Sequence, residues 1–320
     1  MKMSRRRFLE RAGVGTAVAG LVAARGTRIG AEPLGIPLGS QTYPERQMVA
    51  DGKFVDLMKN MYAAGIRQIE LCSPGYAQFK SLADGKQTRK IIEDNGLKCI
   101  SAHFTLVELR TALPAAIQWA QDVGMTQMGT ASLGSAGVNG VQSLNQIRYA
   151  AEEYNRIAAT VKRAGLQQFL HNEALENSRL EDGRLTYPVL LEYLDPDLVK
   201  MQFQMSSMPT IGNPIMYFLN HPGRFISAHV HGVRLAGPVA NTGNIAMPIK
   251  TDTPAPAPGG ARAGGTPVPG VAVGDDDVDW PKVFAAAKIG GVKNYFIEQE
   301  QPQVGWDLMV KGAKYLKTLS

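Results

Sequence analysis

The feature that most constrains the fold is a unit of helix, glycine and short apolar strand that recurs along the chain after residue 35. Helical windows end at a glycine, as at Gly65 and Gly124, because a helix C-terminus favours the left-handed backbone. Short apolar runs follow these ends, and parallel neighbouring strands need such helical crossovers. Eight strands are predicted, at residues 35–43, 66–72, 97–105, 125–131, 166–173, 199–206, 224–233 and 292–300.

Eight strand and helix units predict an α/β protein, and specifically a closed (β/α)8 TIM barrel. An open, doubly wound parallel sheet is the alternative with the same local pattern. In a barrel, active sites gather where the strands end and the helices have not yet begun. The barrel prediction therefore also predicts where functional residues should be sought.

Composition excludes several classes of protein. The chain has 320 residues, of which 44% are hydrophobic, so it can bury a full globular core. Only two cysteines are present, which excludes a disulfide scaffold and a four-cysteine zinc site. We expect Cys72 and Cys99 to be free, buried thiols. Any metal must be held mainly by His, carboxylate and amide groups.

The formal charge of +6 is confined to the N-terminus. Residues 1–31 carry seven cations and one anion, which leaves 27 Lys plus Arg and 27 Asp plus Glu in the rest of the chain. Because this body is neutral, it has no basic field for a phosphate backbone. Nucleic acid is therefore not an expected partner.

Residues 1–31 have the pattern of an N-terminal targeting segment. Paired arginines and Phe8-Leu9 precede a modestly apolar run from Ala12 to Ala24, and small residues near Gly30 offer a cleavage site. This resembles a bacterial twin-arginine signal, which implies export of the folded protein by the Tat translocase to the periplasm. An uncleaved membrane anchor is the alternative, although the run is shorter than the roughly 20 residues that span a bilayer.

The predicted barrel covers residues 35–320 and contains one unusual connection. Residues 236–274 are rich in Pro and Gly and offer little apolar surface to bury, so they cannot recover the entropy lost on ordering. The segment follows the seventh strand and would emerge on the functional face. It is interpreted either as a flexible insertion or as a lid or assembly arm.

Ionisable and amide side chains collect at the predicted C-terminal ends of the strands. Four of the five histidines lie there, although a purely structural barrel has no reason to place them so. Such residues from different strands can converge within a few ångströms, which is the geometry of a metal or acid/base site. The set comprises Glu70, Cys72, His103, His171, Asn172, Glu173, Gln204, His229, His231, Glu298 and Glu300.

The order of these motifs resembles the xylose isomerase-like TIM barrels, the sugar phosphate isomerases/epimerases. The similarity covers residues 35–320 and includes Ile69-Glu70, Ser101-Ala102-His103, His171-Asn172-Glu173, His229-Val230-His231, Asp279-Trp280 and Glu298-Gln299-Glu300. In that family a divalent ion is held by Glu, Asp, His and Glu from strands five to eight. The resemblance implies the ligands His171, Gln204, His229 and Glu298, in which two of the family's carboxylates are replaced. Neutral ligands then favour Mn2+, Zn2+ or Co2+ over Mg2+.

The resemblance also implies roles for the remaining residues. Glu298 is expected to act both as a metal ligand and as a catalytic base, and Glu173 as a second acid/base. Glu70, His103, His231 and Glu300 are expected to bind substrate. His231 stands where many relatives have Lys, which favours neutral, unphosphorylated sugars.

The leading functional hypothesis is an exported, metal-dependent isomerase or epimerase that removes a proton next to a sugar carbonyl and forms an enediolate. A lyase or hydratase acting on oxidised keto-glycosides would use the same acidified carbon. A third hypothesis is a non-catalytic sugar-binding protein with a degenerate site and no metal. A homo-oligomer is possible under all three hypotheses.

Overall fold

The computed structural model describes residues 33–234, 247–248, 250, 270–301 and 304–319. The predicted signal at 1–31 and most of the predicted insertion at 236–274 lie outside the described residues. Among the described residues, no helix is both long and apolar enough to cross a membrane.

Eight parallel strands close into a barrel, in the order β1-β10-β9-β8-β6-β4-β3-β2. β1 pairs with both β2 and β10, which closes the ring and excludes the open sheet. Two further short strands, β5 and β7, pair with each other outside the barrel. The strands are β1 (Gly39–Gln41), β2 (Gln68–Cys72), β3 (Lys98–His103), β4 (Gln127–Thr130), β5 (Val141–Gln142), β6 (Gln167–Leu170), β7 (Arg179–Leu180), β8 (Val199–Gln204), β9 (Phe225–Val230) and β10 (Asn294–Ile297).

Helices connect the strands, and glycines end several of them as predicted. Gly65 and Gly124 adopt φ of 93° and 84°, the left-handed backbone that lets a helix stop and turn into a strand. The described helices are α1 (Arg46–Ala50), α2 (Phe54–Ala64), α3 (Gly85–Asp94), α4 (Leu106–Thr111), α5 (Leu113–Val123), α6 (Leu144–Arg163), α7 (Thr186–Tyr193), α8 (Met208–Ile211), α9 (Pro214–Asn220), α10 (Trp280–Gly290) and α11 (Gly305–Leu316).

Aromatic side chains pack β8 and β9 against their covering helices. Phe203 of β8 lies 5.7 Å from Phe218 of α9 and 6.2 Å from Tyr187 of α7, measured between ring centroids. Phe225 of β9 lies 5.3 Å from Phe218 in an edge-to-face arrangement. This apolar layer packs the outer faces of β8 and β9 against the helices. The side chains on the opposite faces of these strands point into the barrel.

The inside of the barrel is polar over much of its depth. Near its N-terminal end, the Nε2 of Gln127 donates to the Oδ1 of Asn294, whose Nδ2 donates to Gln68. Further up, Glu70 of β2 receives hydrogen bonds from Ser101 and from other buried side chains. TIM-barrel interiors are usually filled by branched apolar residues, so this polar filling is unusual for the fold.

Candidate active site

Three histidines converge at the C-terminal ends of the barrel strands. His103 ends β3, His171 follows β6, and His229 lies one residue before the end of β9. Their ring centroids are 4.4 Å apart for His171 and His229, 5.1 Å for His103 and His171, and 5.3 Å for His103 and His229. One ligand atom from each ring lies within 4.8 Å of the others, and all three side chains are buried. Three segments distant in sequence thus form one cluster.

His229 bridges two carboxylates. Its Nδ1 lies 2.9 Å from Glu298 Oε2 and its Nε2 lies 2.6 Å from Glu70 Oε1. Burial by itself would lower the pKa of His229, but the charges and hydrogen bonds of Glu298 and Glu70 outweigh burial and raise the pKa to about 10. Without a bound ion, the ring is therefore a cation between two anions at neutral pH.

Glu298 is the second carboxylate that contacts His229. Its Oε2 accepts a hydrogen bond from Gln204 Nε2 at 2.6 Å and also faces His229. Burial would raise the pKa of Glu298, but the charge and the hydrogen bond of the neighbouring His229 outweigh burial and lower the pKa to about 2. The side chain is thus an ionised carboxylate held in a fixed orientation.

His171 and Gln204 contain the ligand atoms that the protein leaves unsatisfied. His171 Nδ1 and Gln204 Oε1 are buried and have no hydrogen-bond partner among the described residues. Burial, followed by repulsion from His229 and His103, lowers the pKa of His171 well below its usual value, so its imidazole is neutral. Leaving such atoms unpaired costs about 1–3 kcal/mol each. A metal ion would satisfy both the neutral imidazole nitrogen and the amide oxygen. These residues therefore fit the ion that the resemblance implies.

Glu173 and Glu300 line the mouth above this cluster, and both residues are exposed to solvent over part of their surface. Burial of the carboxyl group, followed by repulsion from Glu298 and Glu173, raises the pKa of Glu300 to about 7. Burial and repulsion from Glu298 also raise the pKa of Glu173. The three carboxyl groups are therefore close enough to influence one another, and two of them are accessible to a substrate.

The other predicted substrate contacts are placed differently. His231 is half-buried, with its Nε2 3.1 Å from Gln301 Nε2 and its Nδ1 without a partner among the described residues. His103 lies within the histidine cluster, while Glu70 is fully buried beneath it. Cys72 and Cys99 are free and buried, which confirms that prediction.

Several residues of the site carried no strong signal in the sequence. Ser101, Gln202 and Ser227 lie inside the barrel, each two residues before a predicted site residue on the same strand. Alternation along a strand puts such residues on the same face, so this period of two is the signal that identifies them. At the mouth, Tyr43 and Tyr76 form an edge-to-face pair 6.2 Å apart.

Comparison with known proteins identifies the fold. No protein-family model matches the sequence, and no curated protein is significantly similar to it. Among solved structures, a sugar phosphate isomerase/epimerase from Parabacteroides distasonis ATCC 8503 is 17% identical, with a TM-score of 0.64 over 92% of this chain and 95% of that chain. The fold is that of the xylose isomerase-like TIM barrels, as predicted.

Two further solved structures share this fold. The probable 3-DHS dehydratase AsbF, involved in petrobactin synthesis, from Bacillus anthracis is 13% identical, with a TM-score of 0.62 over 88% of this chain and 98% of that chain. The IolI protein, solved with a bound zinc atom, is 10% identical, with a TM-score of 0.58 over 88% and 95%. Proteins of this fold thus include an isomerase/epimerase, a probable dehydratase and a zinc-binding protein.

Proposed function

We propose that this protein is an exported, metal-dependent isomerase or epimerase that acts on a neutral sugar. The single observation that carries the proposal is the cluster of His103, His171 and His229, beside which two buried ligand atoms have no partner among the described residues. These atoms belong to His171 and Gln204, two residues of the predicted ligand set. A structural role alone does not account for their burial without a partner.

His171, Gln204, His229 and Glu298 would hold the ion, with His103 as a further imidazole within reach. A ligand set with one carboxylate and several neutral donors favours Zn2+, Co2+ or Mn2+ over Mg2+, which prefers oxygen ligands. When bound, the ion would act as a Lewis acid that polarises a sugar carbonyl and stabilises the enediolate.

The protein would supply the groups that move the proton. Glu298 is ionised and buried, with its Oε2 engaged by Gln204 and His229. Glu173 and Glu300 are accessible at the mouth, so either could take a proton from one carbon and return one to its neighbour. We assign Glu298 mainly to metal binding and retain the base role predicted for it as a hypothesis that variants can separate.

Glu298→Gln should lose both metal and turnover, because it removes the only carboxylate of the implied ligand set. At least one of the variants Glu173→Gln and Glu300→Gln should keep the metal and lose turnover, because one of these carboxylates would move the proton. An E298Q variant that turns over at the wild-type rate would contradict any essential role for this carboxylate.

The mouth suits an uncharged sugar. Tyr43 and Tyr76 offer aromatic surface beside the mouth carboxylates. They lie near these carboxylates, because the negative charge of Glu173 helps to raise the pKa of both phenol groups. Aromatic faces pack well against the apolar C–H faces of sugars, and the carboxylates can accept hydrogen bonds from hydroxyl groups. Repulsion between these carboxylates and a phosphate group would disfavour phosphorylated substrates.

Metal analysis and isotope exchange test the proposal together. Protein purified from metal-replete cells should contain about one divalent ion per chain, as expected for a single site, and chelator should lower its melting temperature. Incubation with aldoses and ketoses in D2O should place deuterium on the carbon next to the carbonyl. A protein without metal and fully stable in chelator would instead be a non-catalytic sugar-binding protein.

A lyase or hydratase is the second candidate, and the probable dehydratase with the same fold favours it. The reaction would begin at the same acidified carbon but would end with loss or addition of water or an alcohol. Keto-glycosides incubated with the protein would then give an unsaturated product, whereas aldoses and ketoses would incorporate no deuterium.

A further inference from the structure

Glu70 is the carboxylate that neither the metal site nor the mouth uses directly. It lies in the middle of β2, beneath His103 and His229, and its side chain is completely buried. A carboxylate so enclosed cannot contact a substrate at the mouth, so its role must act through its neighbours.

Both oxygens of Glu70 are engaged. Oε1 lies 2.6 Å from His229 Nε2 and 3.3 Å from His103 Nε2, and it accepts a hydrogen bond from Gln41 Nε2 at 2.9 Å. Oε2 accepts from Ser101 Oγ at 2.5 Å and from Gln202 Nε2 at 2.8 Å. One side of the carboxylate thus faces two imidazoles and the other side faces two fixed donors.

Gln202 ties the arrangement together. While its Nε2 donates to Glu70, its Oε1 lies 2.8 Å from His103 Nε2. His103 Nε2 therefore faces two acceptors and carries the hydrogen, and His229 Nε2 likewise donates to Glu70. With both Nε2 atoms engaged below the mouth, Nδ1 is the only other nitrogen of each ring that can bind an ion. In His229 this atom lies 2.9 Å from Glu298 Oε2, and a bound ion would take the place of its proton.

We propose that Glu70 is a positioning residue that holds His103 and His229 by their Nε2 atoms, so that both rings offer Nδ1 to a divalent ion. This inference rests on the proposed function, because it assigns a role toward the metal of that site. A carboxylate behind a ligating histidine fixes the tautomer and orientation of the ring and makes it a better ligand.

A glutamine cannot replace this carboxylate without a conflict. If its Oε1 accepts from the two histidines, its Nε2 faces Gln202 Nε2, which is also a donor. If the amide is turned the other way, its Nε2 faces the N–H groups of both imidazoles. Glu70→Gln should therefore misplace at least one ring while keeping nearly the same side-chain volume.

Co2+ titration followed by visible absorption tests the role, because the spectrum reports the ligand geometry. We expect Glu70→Gln to weaken Co2+ and Zn2+ binding by about 10- to 100-fold and to alter the Co2+ spectrum. Glu176→Gln is the matched control, since Glu176 is equally buried but bonds to Ser132 and Leu133. The control should bind Co2+ as the wild type does. An E70Q variant with unchanged affinity and spectrum would overturn the assignment.

NMR of the imidazole nitrogens provides a readout that needs no metal. In the metal-free wild type, the Nε2–H signals of His103 and His229 should show strong hydrogen bonding, and both should shift in E70Q but not in E176Q. If the wild type binds no Co2+ or Zn2+, the proposed function fails, whereas unchanged ring signals in E70Q would overturn the positioning role alone.

If E70Q does not fold, Glu70→Asp keeps the charge but draws the carboxylate back by one methylene group. It should then shift the same ring signals and weaken Co2+ binding in the same direction. Wild-type ring signals and Co2+ affinity in E70D would also count against the assignment.

Discussion

Gln204 is the residue at which this site departs most clearly from a carboxylate-rich metal site. Its amide donates to Glu298 at 2.6 Å and leaves its own oxygen buried without a partner among the described residues. The uncharged amide therefore cannot offset the positive charge of an ion, but its hydrogen bond orients the carboxylate that would bind the ion. A carboxylate in its place would offset that charge and would repel Glu298.

Gln204→Glu should make the protein depend on metal for its stability. Two carboxylates would then face each other where a hydrogen bond stood, so the metal-free protein should lose about 1–3 kcal/mol of unfolding free energy. Added Mn2+ or Zn2+ should restore the loss, because the ion now meets a second negative ligand. Thermal unfolding with chelator and with metal measures both effects, and equal melting temperatures for variant and wild type in chelator would contradict the expectation.

Glu176 is a buried carboxyl whose ionisation should oppose folding. It accepts hydrogen bonds from Ser132 Oγ and Leu133 N, but burial outweighs these and raises its pKa to about 7. Between the unfolded value near 4.5 and about 7, the folded protein keeps a proton that the unfolded chain releases. The contribution of this group to the free energy of unfolding is therefore largest below pH 4.5. It falls by about 3 kcal/mol in total as the pH rises to 7.

Glu176→Gln should remove that part of the pH dependence. The amide oxygen can still accept from Leu133 N, and the amide nitrogen can donate to Ser132 Oγ, so the variant should gain stability relative to wild type as the pH rises from 5 to 8. Denaturant unfolding at both pH values measures the difference. Parallel pH profiles for the two proteins would show that Glu176 ionises normally in the folded state.

At the scale of the elements, the strand and helix units were predictable because their signals are local. The α2 helix has the bounds that its apolar period and Gly65 indicate, and strands follow the helix ends. The pair of short strands β5 and β7 and the helix α4 were not predicted, because two to six residues carry too little periodic signal. Local sequence patterns therefore predict the strands and helices of the barrel, but not the short elements inserted between them.

Depth within the barrel was not predictable from strand ends alone. The predicted strands are longer than the observed ones, so Glu70 and His103 both seemed to lie at the mouth. In the structure, His103 is the last residue of β3, whereas Glu70 is the third of five residues in β2. The register of β2 against β3 shifts between Ile69 and Glu70, and that of β8 against β9 shifts beside Gln202. Such irregularities re-aim side chains, and they arise from pairing between strands, which one sequence does not reveal.

Close packing between strands requires a glycine at one point of the barrel wall. A Cβ at Gly129 of β4 would lie 2.4 Å from the carbonyl oxygen of Phe169 and 2.6 Å from its ring. Gly129→Ala should therefore force β4 away from β6 and cost about 1–3 kcal/mol or more of unfolding free energy. Gly134→Ala is the control, because its Cβ would meet only Leu175 at 3.4 Å. Similar denaturation midpoints for both variants would show that the barrel wall yields without cost.

For the whole molecule, the closed barrel links folding to the site. The histidines of the cluster come from three different segments, so the site exists only after the ring of strands has closed. An ion that binds only the folded state would raise stability by mass action, by about 2.7 kcal/mol at a concentration one hundred times its Kd. The predicted twin-arginine signal fits such a protein, since that route carries folded cargo.

Changing Arg5 and Arg6 to Lys should block export without affecting the barrel. The pair lies in the predicted signal, outside the described residues, whereas the site and core lie beyond residue 33. The variant should accumulate in the cytoplasm as a folded precursor with its metal bound and with the melting temperature of the exported protein. Arg25 and Arg28 changed to Lys make the matched control, because they keep the charge but lie outside the paired-arginine motif. Fractionation that finds both variants in the periplasm at the wild-type level would refute this route, since the twin-arginine route requires the arginine pair.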